Sequence, residues 1–445
     1  MARLFGTDGV RGVANRELTV ELAMALGKYG ANAITGGKEN STILVGKDTR
    51  ISGDMLESAL ISGILSSGCN VIRLGIIPTP AVAKLVRLLK ADAGVVISAS
   101  HNPVEFNGIK FFDEKGLKLK DALEDEIELA IAEAKDIRSE RIGYVGDYDQ
   151  AEHDYINEVL KAVPSLSLEG IKIAVDCANG AASFVAPMAL NQLDAKVYAI
   201  HHEPDGYNIN ENCGSTHMGD LKNFVKAIKA DIGLAFDGDA DRLLAVDENG
   251  KDIDGDKIMA ICGKALFDRN ELPHNTIVST VMSNLGFDIA LKENGLMSVK
   301  TQVGDRYVLE EMIKNGYELG GEQSGHIIFL KHNTTGDGLL TAIQLLSVLK
   351  ESKKKASELA SIMTEYPQVL VNAKVSNAKK YHYLDNEKIK LEVEALEAAF
   401  QGKGRVLVRP SGTEPLVRVM IEGEDKVQLE IAAKELAALI ESELS

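Results

Sequence analysis

The chain has 445 residues, which is long for a single hydrophobic core and predicts three or four domains. Hydrophobic residues make up 45% and charged residues 26% of it, as in ordinary globular proteins. The formal net charge of −17 argues against nucleic acid or an anionic membrane as a partner, because both need a basic surface.

The four cysteines are far apart in the sequence and form no C-x-x-C pair. They therefore suggest neither a zinc knuckle nor a dithiol redox site, and we expect a reducing compartment. The first residues, "MARLFGTDGVRG", contain no apolar run of signal-peptide length, and no stretch is long enough to span a bilayer. These features predict a cytoplasmic protein.

Strand and helix patterns alternate along residues 1–150. The strand patterns are "TILVGKDTR", "NVIRLGIIPTP" and "AGVVISAS", and the helical patterns between them are "MLESALISGILSSG" and "AVAKLVRLLK". Strands that alternate with helices predict a mostly parallel sheet covered on both faces. We therefore expect a first α/β domain in this part of the chain.

The same alternation continues in residues 151–250 and 251–366, which predicts a second and a third α/β domain. A hairpin turn is expected at Asn249–Gly250, at the boundary between them. Residues 367–445 differ, because the strands "GRVLVR" and "PLVRVMIEG" flank a polar loop and precede a last amphipathic helix. This part predicts a smaller α+β domain at the C-terminus.

The loop "DGDADR" places Asp237, Asp239 and Asp241 at alternate positions after an apolar strand, so their repelling charges call for a cation. With Glu248 at its twelfth position the segment mimics a calcium-binding hand, but the sixth position, which requires glycine, is Arg242. The flanking segments are also strand-like. Mg²⁺ with positions left for a phosphate oxygen fits better, and a solvated turn is the alternative.

A second loop, "SASHNPVEFNGIK", follows the strand "AGVVI". It lacks the G-x-S-x-G pattern of a hydrolase, and a lone serine at a strand end is more often a helix cap than a nucleophile. A phosphoryl group on the Ser100 oxygen would need a divalent cation, which the acidic loop could hold. Lys110 could donate a hydrogen bond to that phosphoryl group.

Two further loops offer groups that suit a sugar phosphate. In "GGEQSGH", Glu322 and Ser324 are suited to sugar hydroxyls or an amine, and His326 could be a general acid–base, although a structural turn is the alternative. In "RPSGTEPLVR", arginine forks, hydroxyls and bare backbone N–H groups suit a phosphate. The four loops fall on four successive domains, which predicts a central cleft.

The order "GTDGVRG", "SASHNP", "DGDADR", "GGEQSGH", "RPSGTEP" resembles the α-D-phosphohexomutases over nearly the whole chain. "GTDGVRG" and the glutamine of "GEQSGH" are similar to the phosphoglucosamine mutase branch. The resemblance implies a heart-shaped molecule of four domains. It also implies interconversion of glucosamine 6-phosphate and glucosamine 1-phosphate through a phosphoserine enzyme and a 1,6-bisphosphate, which feeds UDP-N-acetylglucosamine and cell-wall synthesis.

The resemblance further implies a role for each motif residue. Ser100 is the phosphoserine and binds Mg²⁺ together with Asp237, Asp239 and Asp241. The groups around the transferring phosphoryl are His101, Lys110, Arg242 and Arg11, and the general base is Lys110 or His326. The sugar is held by Glu322, Ser324 and His326, and the other phosphate is held by Arg409, Ser411, Gly412, Thr413 and Arg418.

The implied partners are a sugar phosphate, a second copy of the chain in a homodimer and, as in some relatives, a diadenylate cyclase. A 1,6-bisphosphate of glucosamine or glucose is the expected activator, although a kinase could first phosphorylate Ser100 instead. The alternatives are a phosphomannomutase or phosphoglucomutase of the same family, a metal-dependent phosphatase, and a non-catalytic module that binds calcium or a sugar phosphate.

Overall fold

The computed structural model describes residues 3–6, 8–400, 402–411 and 414–444. The chain divides into two compact units. The first comprises Met1–Met282 and Leu296–Ile362, and the second comprises Ser283–Gly295 and Met363–Ser445. Among the described residues, no helix is long and apolar enough to cross a membrane.

The first sheet lies in the N-terminal part of the first unit and has the strand order β1-β5-β4-β2-β3-β6. Its strands are β1 (Val10–Val13), β2 (Thr42–Lys47), β3 (Asn70–Ile76), β4 (Ala93–Ile97), β5 (Phe106–Phe112) and β6 (Val145–Asp147). The helices that accompany it are α1 (Val20–Thr35), α2 (Ser52–Ser66), α3 (Thr79–Leu89) and α4 (Asp121–Ala132). Strand β4 is buried along its whole length, as the apolar run "AGVVI" predicts for a strand covered on both faces.

The second sheet follows in the chain and has the order β11-β10-β9-β7-β8. Its strands are β7 (Lys172–Asp176), β8 (Lys196–Ile200), β9 (Ile232–Phe236), β10 (Leu243–Asp247) and β11 (Asp252–Ile253). The helices in this part are α5 (Ala151–Leu160), α6 (Ala182–Gln192) and α7 (Gly219–Ile228). Strands β10 and β11 pair antiparallel, which confirms the hairpin expected at Asn249–Gly250.

The third sheet has the order β13-β12-β14-β15 and completes the first unit. Its strands are β12 (Thr276–Thr280), β13 (Met297–Thr301), β14 (Leu319–Gly321) and β15 (Ile327–Phe329). The helices of the first unit in this part are α8 (Gly255–Asp268), α10 (Asp305–Asn315), α11 (Gly338–Ser352) and α12 (Ala356–Ala360). The carboxylates of Asp254 and Asp337 cap α8 and α11, so polar residues in front of apolar periodic runs mark these helix starts.

The second unit contains an antiparallel sheet of order β16-β18-β17. Its strands are β16 (Gln368–Lys374), β17 (Gly404–Pro410) and β18 (Leu416–Gly423), and its helices are α9 (Leu285–Glu293), α13 (Glu387–Ala399) and α14 (Lys426–Leu444). Within this unit Asn284, the N-cap of α9, donates hydrogen bonds to the Tyr366 carbonyl and to Glu422. These bonds explain why α9 belongs with the C-terminal residues although its chain neighbours lie in the third sheet.

The predicted fold class is confirmed: mixed α/β sheets precede a smaller C-terminal α+β part. The sheets are less uniformly parallel than alternating patterns suggest, because β4–β5, β9–β10 and β14–β15 pair antiparallel. Each of these pairs is joined by a short loop, and a short loop can connect only antiparallel neighbours. The three loops carry the candidate residues Ser100, His101, Asp237, Asp239, Asp241, Arg242, Glu322, Ser324 and His326.

Candidate active site

Ser100 lies in the loop between β4 and β5 with its backbone in the left-handed region, at φ 52°. This conformation is uncommon for a residue with a side chain and needs support from its surroundings. The Ser100 carbonyl accepts hydrogen bonds from Arg50 Nη2 at 2.9 Å and from Asn210 Nδ2 at 2.8 Å, and its N–H donates to Ser98 Oγ at 2.9 Å. The hydroxyl is therefore held at a fixed point beyond the end of β4.

The serine loop and the acidic loop are in direct contact. Ser100 Oγ donates a hydrogen bond to Asp237 Oδ2 at 2.6 Å, and it lies 3.4 Å from His101 Nδ1. Gly238 makes this approach possible, because a Cβ atom there would lie 2.6 Å from the Ser100 carbonyl oxygen and 2.8 Å from Asn210 Nδ2. A metal ion bound by the acidic loop would thus lie within reach of the serine oxygen.

The acidic loop, between β9 and β10, gathers three buried carboxylates. Oxygens of Asp237, Asp239 and Asp241 all lie within 4.8 Å of one another. The Oδ1 atoms of Asp239 and Asp241 are buried and accept no hydrogen bond from the residues that the structure describes. Burial and the neighbouring carboxylates Asp241 and Asp239 raise the pKa of Asp237 well above its usual value. Crowded oxygen ligands with unused lone pairs fit a hard divalent cation such as Mg²⁺.

One member of this group, Asp239, also binds two neighbours from the first sheet's part of the chain. Its Oδ2 atom accepts hydrogen bonds from Lys110 Nζ at 2.8 Å and from Thr79 Oγ1 at 2.7 Å. Burial alone would raise the pKa of Asp239, but the Lys110 ammonium and these hydrogen bonds hold it well below its usual range. Asp239 therefore stays charged, and it fixes Lys110 beside the metal-binding carboxylates.

Cationic groups surround the serine. Burial lowers the pKa of His101 to about 4, and the guanidinium groups of Arg242 and Arg11 add to that effect. The Nε atoms of both arginines are buried without a hydrogen-bond partner among the described residues. Guanidinium N–H groups near His101, in the serine loop, that have no hydrogen-bond partner suit the oxygens of a phosphoryl group.

The sugar loop, between β14 and β15, joins the acidic loop through backbone contacts. Leu243 N donates to the Gly325 carbonyl at 3.0 Å, and Arg242 forms a β-bridge with His326. Glu322 Oε1 accepts a hydrogen bond from Gly304 N at 3.1 Å, which orients its carboxylate. The polar side chains of this loop are thus placed beside those of the acidic loop.

His326 is a buried residue of the sugar loop. It is 3% exposed, and its Nε2 atom accepts a hydrogen bond from Gly336 N at 3.2 Å. The same Nε2 atom lies 3.4 Å from Asp305 Oδ2 and 3.9 Å from Asp241 Oδ2. This packing makes His326 a neighbour of the metal-binding carboxylates.

The phosphate loop lies in the second unit, between β17 and β18. Arg409 and Arg418 are directly opposite each other in the strand pairing. Burial and the adjacent Arg418 charge lower the pKa of Arg409, and Arg418 forms an ion pair with Glu414 at 2.9 Å. The Ser411 carbonyl accepts a hydrogen bond from Lys380 Nζ at 2.5 Å. Two adjacent arginines favour an anion; the other predicted members, Gly412 and Thr413, lie outside the described residues.

Several residues that support these loops were not predicted from the sequence. Asp8, Arg50, Thr79, Asn210 and Asp305 each hold a predicted residue through a side-chain hydrogen bond or ion pair. Lys118 in turn pairs with Asp8 and Asp305. A detectable signal was the position of Asp8 in the quoted motif "GTDGVRG", three residues before Arg11. The others lie far from the motifs they contact, and their partners cannot be read from spacing.

Comparison with known families gives four matches along the chain. Models described as phosphoglucomutase/phosphomannomutase alpha/beta/alpha domains I, II and III match residues 2–138, 153–250 and 254–366. The model of the C-terminal domain of the same family matches residues 370–439. Together the four models span nearly the whole sequence.

Curated relatives match the chain over its full length. A phosphoglucosamine mutase of Ruminiclostridium cellulolyticum is 63% identical over 450 residues, covering 100% of both chains. A phosphoglucosamine mutase of Caldanaerobacter subterraneus is 59% identical over 448 residues, again covering 100% of both.

Solved structures share the fold. A phosphoglucomutase/phosphomannomutase family protein of Burkholderia thailandensis has a TM-score of 0.83 at 23% identity, covering 99% of this chain and 97% of its own. The N-acetylphosphoglucosamine mutase of Aspergillus fumigatus, solved with GlcNAc-6P and magnesium, has a TM-score of 0.66 at 16% identity, with 99% and 96% covered.

Proposed function

The chain belongs to the phosphoglucomutase/phosphomannomutase family, and we propose that it interconverts glucosamine 6-phosphate and glucosamine 1-phosphate through a phosphorylated Ser100. The observation that carries this proposal is the 2.6 Å hydrogen bond from Ser100 Oγ to Asp237, one of the three carboxylates of the acidic loop. Full-length similarity to phosphoglucosamine mutases supports the choice of an amino sugar as substrate.

In the first half-reaction the phosphoryl group moves from Ser100 to the substrate. The bond between Ser100 Oγ and phosphorus breaks and a bond from the carbon 1 oxygen to phosphorus forms. The carbon 1 hydroxyl proton passes to a base, and Ser100 Oγ takes up a proton to become the free hydroxyl. The two candidate bases are Lys110 and His326: Lys110 would first have to release a proton from the ammonium that Asp8 and Asp239 hold, and Nε2 of His326 would first have to release the Gly336 N–H. The product of this step is the 1,6-bisphosphate.

In the second half-reaction the bisphosphate reverses its orientation and Ser100 takes the phosphoryl group from carbon 6. The bond from the carbon 6 oxygen to phosphorus breaks and the bond to Ser100 Oγ forms again. The Ser100 hydroxyl gives up its proton, and the carbon 6 oxygen takes up a proton. Arg409, Ser411 and Arg418, with Gly412 and Thr413, bind the phosphate that is not reacting, while Glu322 and Ser324 hold sugar hydroxyls. Because both ends of the bisphosphate carry a phosphate, the same clamp serves both orientations.

Electrostatics and positioning perform most of this catalysis, as is general for phosphoryl transfer. Arg11 and Arg242 offer the unpaired guanidinium N–H groups that suit the three phosphoryl oxygens. Mg²⁺ would be held by Asp237, Asp239, Asp241 and an oxygen of the Ser100 phosphoryl group, and it would neutralise charge on that group. Phospho-Ser100, an activating 1,6-bisphosphate, the homodimer and a contact with a diadenylate cyclase are further parts of the proposal that come from the family resemblance.

A substrate comparison tests the proposed function. We expect kcat/KM for glucosamine phosphates to exceed that for glucose or mannose phosphates by about tenfold or more, because polar groups that bind the amine are left unpaired by the other sugars. Coupled assays in both directions measure the three ratios. A higher kcat/KM for glucose or mannose phosphates would make the chain a phosphoglucomutase or phosphomannomutase, and steady release of inorganic phosphate would make it a phosphatase.

A further inference from the structure

Asp8, in the loop before β1, contacts three cationic side chains at once. Its Oδ2 atom pairs with Arg11 and lies 2.9 Å from Lys110 Nζ, and its Oδ1 atom lies 2.5 Å from Lys118 Nζ. Burial would raise the pKa of Asp8, but the charges of Lys110, Lys118 and Arg11 hold it well below its usual range. Asp8 is thus a carboxylate that neutralises the cations next to the serine.

The backbone around Asp8 is fixed against β5. Gly6 N donates to the Gly9 carbonyl at 2.9 Å, and Val10 of β1 pairs with Ile109 of β5. Gly9, at φ 79°, leaves no room for a side chain, since a Cβ atom would lie 2.4 Å from the Ile109 carbonyl oxygen. The Asp8 carboxylate is therefore held beside Lys110, which follows Ile109 in β5.

Groups of alternating charge continue on both sides of Asp8. On one side Lys110 connects it to Asp239 of the acidic loop, at 2.8 Å. On the other side Lys118 connects it to Asp305, whose Oδ2 atom lies 3.4 Å from Nε2 of His326 in the sugar loop. Asp8 is thus connected to Asp239 through Lys110 and to Asp305 through Lys118.

We propose that Asp8 is a positioning residue for phosphoryl transfer, which holds Arg11 and Lys110 at the places where they meet the phosphoryl group of Ser100. This inference rests on the proposed function. Without the Asp8 carboxylate the three cations would repel one another, and Arg11 would lose its ion pair. Asp8 does not itself bind the phosphate, because a carboxylate repels it.

The test is the variant Asp8→Asn, which keeps the size of the side chain and removes its charge. We expect kcat to fall about 10- to 100-fold, with a smaller change in KM, because the misplaced cations act on the transferring group. Single-turnover transfer from phosphorylated enzyme to glucosamine 6-phosphate should slow by the same factor. Asp8→Glu, which restores the charge at a longer reach, should recover part of the rate.

Glu158→Gln is the matched control. The Glu158 side chain is 15% exposed, against 19% for Asp8, and it contacts Lys84 and Lys161 away from the four loops. Loss of such a pair should leave kcat within about twofold of the wild-type value. The control separates the loss of an ion-pair network from the loss of positioned cations.

The outcomes are distinct. If Asp8→Asn keeps a wild-type kcat and single-turnover rate, the positioning role is wrong. If Asp8→Asn does not fold, Asp8→Ser decides, because a wild-type kcat in a second variant without the carboxylate would also overturn the role. If the unmodified protein shows no mutase activity with glucosamine phosphates, the proposed function itself fails, whatever the variants do.

Discussion

Ser100 has a left-handed backbone conformation, and its hydroxyl donates a hydrogen bond to Asp237 of the acidic loop. Two side-chain donors on its carbonyl, Arg50 and Asn210, come from separate parts of the chain. The unfavourable φ angle is thus supported by its surroundings, as is common where geometry serves catalysis. A serine that served only as a helix cap would not need this support.

At the same scale, the acidic residues lead to a prediction about metal dependence. Asp241→Asn should raise the Mg²⁺ concentration for half-maximal activity by about tenfold or more, equivalent to about 1.4 kcal/mol of binding free energy. The reason is that Asp241 Oδ1 is buried and accepts no hydrogen bond among the described residues, which leaves it available to a cation. Activity measured against Mg²⁺ concentration, after removal of metal with a chelator, gives the value.

Asp247→Asn is the control for this measurement. Asp247 is also buried, at the other end of β10, where its Oδ1 atom accepts N–H groups of Asn249 and Lys251. An asparagine can accept the same bonds, so its Mg²⁺ dependence should match the wild type. Equal Mg²⁺ dependence in Asp241→Asn and the wild type would show that Asp241 is not a ligand.

Residue types in the motifs predicted several side chains that the structure brings together, but not how these side chains are supported. Asp237, Asp239 and Asp241 were predicted from their alternation after an apolar strand, and the structure brings their oxygens together. Arg50 and Asn210 gave no such signal. Each is a single polar residue, and the Ser100 carbonyl that it binds lies 50 residues from Arg50 and 110 residues from Asn210 in the chain. Their role depends on which loops meet in space.

At the scale of elements, the candidate site depends on short loops between antiparallel strands. The loops after β4, β9 and β14 each connect two neighbouring antiparallel strands. Such a loop projects from the end of its strand pair with little freedom, so its polar side chains keep a fixed direction. The three loops of the first unit contact one another through hydrogen bonds of both backbone and side chains.

Gly238→Ala tests how closely two of these loops must approach. The added Cβ atom would lie 2.6 Å from the Ser100 carbonyl oxygen, so one loop has to move. We expect the free energy of unfolding to fall by about 1–3 kcal/mol, and kcat to fall by about 100-fold. Thermal denaturation and steady-state kinetics measure the two effects.

Gly219→Ala serves as the comparison, because Gly219 begins α7 and a Cβ atom there would meet nothing within 4 Å. It should retain full activity and stability. A Gly238→Ala variant as active as Gly219→Ala would mean that the contact between the serine and acidic loops is not needed for turnover.

Strong patterns predicted the central elements, and weak ones were missed. The strand "AGVVI" and the helix "AVAKLVRLLK" correspond to β4 and α3, because continuous burial or one apolar face leaves a clear periodicity. Strand β16 and helix α13 were not predicted. Most of their residues are exposed, so the apolar pattern that identifies an element is weak there.

For the whole molecule, the charge distribution is more informative than the net charge. The chain carries −17, yet Arg11, Lys110, Lys118 and Arg242 are gathered around the acidic and serine loops. The net charge argues against nucleic acid as a partner, whereas the fold brings these cations together into a site that suits a small anion. The predicted domain boundaries near residues 150, 250 and 366 stay predictions. The contacts of the structure divide the chain into two compact units.

The state of Ser100 in the purified protein tests the phosphoserine mechanism as a whole. Intact mass and peptide mapping should find one phosphoryl group on Ser100, and addition of glucosamine 6-phosphate should transfer it to the sugar. Ser100→Ala should bind the substrate without turning it over. Full mutase turnover by Ser100→Ala, or by wild-type protein whose Ser100 never carries phosphate, would contradict the mechanism.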